Sequence, residues 1–257
     1  MIVDIHNHIL YGLDDGATTL KDTIDMAKKA IQFGISHVVA TPHHDLKKYY
    51  NPPTKIYEKI DEVNRLLKSE NMPLTVCPGM EIGIYEDIIK DLESNKLIYL
   101  NDSHKYLLIE LPNEYIPRYT EEIFEKLKFM GYVPIIAHVE RNAEIRRHPT
   151  KLLHLINQGA LAQVTAASVI GLLGHRLQKV TLALIKQNLV HFIASDAHNT
   201  NTRSFDLVCA YKFLDKKLSI HYSNYFKENA LHIIKGTPII TAVKLQKRKK
   251  LLFNLIR

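Results

Sequence analysis

Seven short apolar runs, each followed by a stretch of different periodicity, constrain this chain more than any other feature. The runs are Ile2–His6, Ile35–Thr41, Leu74–Pro78, Tyr106–Leu111, Val133–His138, Leu161–Thr165 and Val190–Ser195. Thr19–Phe33 spaces Leu20, Ile24, Ala27, Ala30 and Ile31 as a helix does, opens on a Thr19-x-x-Asp22 capping box and stops at Gly34. Thr54–Ser69 places Ile56, Ile60, Val63 and Leu67 on one face. Further helices are expected near Glu86–Ser94, Thr120–Met130, Thr150–Gln158, His175–Gln187, Phe205–Lys216 and Asn224–Lys235. Strand–helix repeats with apolar strands imply a parallel sheet covered by helices, an α/β fold. No low-complexity linker interrupts the series, so residues 1–243 read as one domain and 244–257 as a basic tail.

The ends of these runs carry the chemistry. His6 and His8 follow the first run, two apart, a spacing that puts both imidazoles on one face of a strand. His43 follows the second run, Glu81 the third, and Glu110 and His138 end the fourth and fifth. Asp196 and His198, again two apart, follow the seventh. Any one of these residues is more simply read as a cap or a satisfied core group. In a closed parallel barrel, however, the carboxyl ends of the strands converge on one mouth, and six of seven strands ending in His, Asp or Glu then define a metal site. One of Asp14 and Asp15, close behind the first strand, is expected to join it. Imidazoles mixed with carboxylates and no thiolate suit Mn, Fe or Zn. The donors outnumber the needs of one ion, so two or three ions are expected. Asp15, Glu81, Glu110 and Asp196 would repel one another without metal; divalent ions would turn that anionic pocket into one that attracts phosphate.

Composition excludes several other classes. No secretory signal is evident at the start, and no run approaches the roughly 20 apolar residues of a membrane span. Two cysteines, Cys77 and Cys209, are too few for a disulfide framework and fit a reducing cytoplasm. Of the net charge of +7, six come from Lys244, Lys247, Arg248, Lys249, Lys250 and Arg257, leaving a nearly neutral body. That argues against a nucleic-acid partner. The tail is expected to be a solvated charge run, with contact to an acidic partner or anionic headgroups as the alternative.

Set together, these motifs resemble the polymerase-and-histidinol-phosphatase (PHP) metallohydrolases, and more closely the bacterial manganese-dependent protein-tyrosine phosphatases of capsule and exopolysaccharide gene clusters. The similar stretches are Asp4–His8, Asp14–Ala17, Ala40–His44, Gly79–Glu81, Leu100–Ser103 with Leu108–Glu110, Ile136–Asn142, and Ala194–Asn199 with Arg203. Val139 stands where relatives often carry proline. The resemblance implies a distorted seven-stranded (β/α) barrel of the PHP type with a trinuclear centre. One ion would be held by His6, His8, Glu81 and Asp196, a second by Glu81, Glu110 and His138, and a third by Asp15, His43 and His198. It further implies Mn²⁺ as the metal, with Fe or Zn as alternatives, and a metal-bridging hydroxide that attacks phosphorus. Arg141 and Arg203, close in sequence to ligands, are expected to clamp the phosphate. No general acid is assigned, and His44 is left between substrate contact and structure. The implied enzyme is a phosphoric monoester hydrolase of the cytoplasm. Its partner would be a phosphotyrosine protein, the tyrosine-rich tail of a bacterial tyrosine kinase, and oligomerisation stays open.

Rival readings fare less well. A cysteine-dependent phosphatase needs an arginine six residues after its thiolate, but Gly83 and Asp215 stand there. A histidinol-phosphate-type phosphatase shares the ligands and is disfavoured by the longer motifs. A catalytically inactive scaffold would be expected to lack several ligands, and none is missing.

Overall fold

The computed structural model describes residues 1–45 and 48–241; the basic tail lies outside them. Among the described residues nine strands occur in this order: β1 (Ile2–Asn7), β2 (Ile35–Ala40), β3 (His43–His44), β4 (Thr75–Cys77), β5 (Glu81–Gly83), β6 (Tyr106–Glu110), β7 (Val133–Ile136), β8 (Leu161–Thr165) and β9 (Phe192–Ala194). All pair in parallel: β1 with β2, β2 with β4, β3 with β5, and then β5 through β9 in sequence. The second and third apolar runs form β2 and β4, and each is followed, after a break, by a further short strand, β3 and β5. The breaks fall at Thr41-Pro42 and at Pro78-Gly79-Met80, because proline has no N–H to give a ladder. Both runs break at the same level, and Pro42 repairs the gap by accepting from the Glu81 N–H at 3.1 Å. Gly79 permits the close approach there, since a Cβ would lie 2.7 Å from Val39 Cγ1.

The sheet is curled, and its far strands meet. Asn7 forms a parallel bridge with Ala197, the His8 N–H donates to the Ala197 carbonyl, and the Asp196 N–H donates to the His6 carbonyl, both at 2.8 Å. Asp4 clamps the same seam: its carboxylate accepts from the Ser195 N–H at 2.8 Å and the Ser195 hydroxyl at 2.5 Å. Burial pushes the Asp4 carboxyl up to about 6.

Alternation along each strand sorts the core into two. On β6, Leu107 and Ile109 face one cluster, shared with Ile123, Phe124 and Leu127 of the helix Thr120–Phe129. Tyr106 and Leu108 face the other, with Val3, Ile5, Ile135, Phe192 and, from the last helix, Ala230 and Ile233. Glu110 shares the parity of this second face, so the sheet's own pleat carries it to the site. The helices follow the amphipathic stretches closely, as at Leu20–Gln32, whose capping box forms, and Pro53–Ser69. The last helix starts earlier than its apolar pattern suggests, at Ile220, where Ser219 caps it. Two short helices, Ala143–Arg147 and Ala166–Ile170, were not expected. Each opens on a side-chain cap, Asn142 accepting from the Ile145 N–H and Thr165 from the Ser168 N–H. No helix among the described residues is long and apolar enough to cross a membrane.

His191 ties β8 to the approach of β9. Its N–H donates to the Ala162 carbonyl, and its Nδ1 accepts from the Ala162 N–H at 3.1 Å. An imidazole accepting at Nδ1 must be neutral, and burial holds its pKa down to about 4. Protons then bind the unfolded chain more readily, so stability is full above pH 6.5 and declines toward pH 4. Complete loss amounts to about 3 kcal/mol. Urea unfolding between pH 7 and pH 4 should show this slope in the parent and a shallower one in His191→Asn. Parallel slopes would count against the assignment.

Candidate metal centre

All nine expected ligands come together at the carboxyl ends of the strands. Glu81, at the start of β5 and fully buried, lies in the middle. Its Oε2 has His6 Nε2 at 3.1 Å, His8 Nε2 at 3.3 Å and His43 Nδ1 at 3.1 Å. Its Oε1 has His138 Nε2 at 2.9 Å. Asp196 Oδ1 lies 3.4 Å from His6 Nε2 and 3.3 Å from His8 Nε2. On the other side, Asp15 Oδ1 lies 3.5 Å from His43 Nε2 and 3.3 Å from His198 Nε2. Glu110, partly exposed, faces His43 Nδ1 at 3.7 Å and His138 Nε2 at 3.5 Å.

Three groups have ligand atoms mutually within 4.8 Å: His6, His8, Glu81 and Asp196; His8, Asp15, His43 and His198; and His43, Glu81 and Glu110. The first is the set expected for one ion. The second adds His8 to the expected trio, and in the third His43 stands where His138 was expected. His138 instead touches Glu81 and Glu110 from the far side. His8, His43 and Glu81 each belong to two groups, so neighbouring positions share their ligands.

The donors fit a cation. Glu81 Oε2 and His198 Nε2 are buried and, although nitrogens and oxygens crowd them, neither makes a hydrogen bond of good geometry, which leaves both open to a cation. The Nε2 atoms of His6 and His8 stand 3.3 Å apart, both aimed at the same two carboxylates. This nitrogen-and-oxygen set without thiolate suits divalent transition ions. The charges are already adapted to one another. Burial alone would raise the Glu81 carboxyl, but His6 and His43 hold it well below the usual range. Asp196 behaves likewise, burial being outweighed by His6 and then by His8. Burial and the charge on Glu81 both push Glu110 up.

The surroundings of the site hold residues that sequence reasoning weighed differently. Asp14 proves to be a support: its Oδ2 lies 2.6 Å from His8 Nδ1 and also accepts from the His43 N–H at 2.9 Å. Burial would lower the His8 pKa, and Asp14 overrides it, raising it well above its ordinary value. Asp15, next in sequence, faces the cluster instead. Gln163 on β8, not singled out from sequence, lies 3.1 Å from His6 Nδ1. Arg141 Nη1 meets Asp196 Oδ2 at 2.6 Å and Arg203 Nη2 meets the same oxygen at 3.1 Å. His44 is buried, its Nδ1 3.0 Å from the Asn51 carbonyl, so it belongs to the scaffold. Burial pushes the Cys77 thiol up to about 11, and Cys209 is exposed.

A parallel α/β fold with a shared histidine–carboxylate cluster at its strand ends defines a metal-dependent enzyme. The chain belongs to the family described as capsular polysaccharide synthesis, CpsB/CapC, whose model matches residues 2–235. It is 42% identical to the tyrosine-protein phosphatase YwqE of Bacillus subtilis, over 98% of this chain and 99% of that one. It is 39% identical to the putative tyrosine-protein phosphatase CapC of Staphylococcus aureus, over 96% and 94%. A solved structure, from a study of YwqE and of CpsB of Streptococcus pneumoniae as metal-dependent tyrosine phosphatases, superposes with a TM-score of 0.90. It covers 93% of this chain and 96% of that one at 43% identity.

Gly16 offers a test of how the site is packed. A Cβ there would overlap the carbonyl oxygen and Cβ of His8. Gly16→Ala should therefore displace His8, cost about 1–3 kcal/mol in urea unfolding and weaken divalent-ion binding in calorimetry. Unchanged binding would show that His8 is not held by this contact.

Proposed function

We propose that this protein is a metal-dependent protein-tyrosine phosphatase that acts on phosphotyrosine in a bacterial tyrosine kinase and so regulates capsule or exopolysaccharide synthesis. The observation that carries the reading is the buried Glu81 carboxylate, faced by four imidazoles and shared between two candidate ion positions, in a chain whose relatives are named tyrosine-protein phosphatases. The strand order and the Asn7–Ala197 bridge support a distorted seven-stranded barrel of the PHP type, with β2–β3 and β4–β5 each counted as one interrupted strand. Residues 1–243 would be its catalytic body and 244–257 its tail, in the cytoplasm.

His6, His8, Asp15, His43, Glu81, Glu110, His138, Asp196 and His198 would hold two or three ions, Mn²⁺ by preference. When bound, the ions supply Lewis acidity toward the phosphoryl oxygens and an activated water for attack on phosphorus. The chain's own contribution is orientation and charge. Arg141 and Arg203 converge on one oxygen of Asp196 and keep further N–H groups for substrate; Arg141 Nε is buried without a partner. A planar guanidinium suits two oxygens of a phosphate at once. The tyrosine leaving group has a pKa near 10, so its departure demands little proton donation, consistent with the absence of an assigned acid.

Phosphate release from a phosphotyrosine peptide with added Mn²⁺ should far exceed release from histidinol phosphate; equal or reversed rates would overturn the substrate assignment. His6→Ala should lose nearly all turnover. Cys77→Ala should keep it, and its loss in a folded Cys77→Ala protein would point to thiol chemistry instead.

A further inference from the structure

β8 alone among the apolar runs ends without a candidate ligand. Its inward side chains nonetheless reach the centre. Gln163, fully buried, presents Oε1 to the His138 backbone N–H at 3.0 Å and to His6 Nδ1 at 3.1 Å, while its Nε2 donates to the Val164 carbonyl at 2.8 Å. We infer that Gln163 is a positioning residue that fixes the tautomer of His6 and the backbone of His138, presenting both imidazoles to the metal centre. The inference rests on the reading of His6 and His138 as metal ligands.

The proton assignment follows from a single unambiguous donor. A backbone N–H can only donate, so the Gln163 atom facing His138 must be the oxygen. The amide nitrogen is then turned toward the Val164 carbonyl, a contact only a donor can make. An amide oxygen can only accept, so His6 must carry its proton on Nδ1. That reserves Nε2, which faces Glu81 and Asp196, for a cation, any proton it holds leaving as the ion binds.

The same oxygen supports strained backbone. His138 has φ 30° and ψ 53°, in the left-handed region that costs a non-glycine residue energy. Its N–H has no strand partner in that conformation, and Gln163 accepts from it. Two residues further along β8, Thr165 donates its N–H and hydroxyl to Glu140 Oε1 at 2.9 and 2.8 Å. The turn from His138 to Arg141 is thus pinned twice to β8, and Arg141 is directed onto Asp196.

The test uses the full-length protein labelled with ¹⁵N-histidine, with His6→Ala to identify the His6 signals. In the metal-free parent, long-range ¹H–¹⁵N spectra should show a proton on His6 Nδ1; a His6 protonated at Nε2 alone would overturn the inference outright. In Gln163→Leu that preference should be lost, and Mn²⁺ affinity by calorimetry should fall about 10–100-fold. Gln163→Glu, which keeps an acceptor, should retain the Nδ1–H tautomer and bind Mn²⁺ more tightly than the leucine variant. An unchanged tautomer and affinity in Gln163→Leu would overturn the inference. None of these measurements needs phosphatase activity, so failure of the substrate assignment would show separately.

Discussion

The carboxylate of Glu81 organises this molecule. It is fully buried, no hydrogen bond reaches its Oε2, and imidazoles from β1, from the segment following β1, from β3 and from the segment following β7 surround it. A buried anion in such a place must be compensated. The compensation here comes from residues that could not be near one another unless the whole sheet had curled. Fold and site therefore share one condition: the strand ends must converge for Glu81 to be tolerated.

Around that centre the chain spends its polar groups on direction. Asp14 orients His8, Gln163 orients His6, and Asp14 also receives the His43 N–H. Each of these imidazole contacts is made at Nδ1, which leaves the Nε2 atoms of His6 and His8 facing the shared carboxylates. Asp196 adopts a left-handed backbone at φ 54°, stabilised by its N–H on the His6 carbonyl. Two candidate ligands, His138 and Asp196, thus occupy conformations that non-glycine residues avoid, and hydrogen bonds from other strands hold each one there.

Much of this was legible in the sequence, for reasons that can be named. Strand ends are marked by the change from apolar to polar residues, and in a parallel sheet those ends share one side, so charged side chains there read as a set. The two helices whose apolar spacing was clearest, Leu20–Gln32 with its capping box and Pro53–Ser69, fall where expected. The second and third strands end where their apolar runs do, but the strands beyond the breaks, His43–His44 and Glu81–Gly83, are too short for alternation to register. Helices as short as Ala143–Arg147 and Ala166–Ile170 span too little chain for periodicity to register. Gln163 left no trace because a neutral amide inside an apolar strand resembles a tolerated polar residue. Position alone did not separate Asp14 from Asp15; the resemblance picked Asp15, and the path of the loop turns Asp14 behind His8 and Asp15 toward the cluster.

The seam between β1 and the segment after β9 has a consequence for how the protein matures. Asp4 and Ser195 are 191 residues apart in sequence, and His6 and Asp196 meet across the same junction. A ribosome-bound chain that has exposed only its first strand offers a lone histidine pair, a poor trap for any ion. Two of the three ligand groups need Asp196 or His198 and stay incomplete until the last strand has emerged and the ends of the sheet can close. A fully occupied centre would then mark a chain that has been made and folded through to its seventh apolar run.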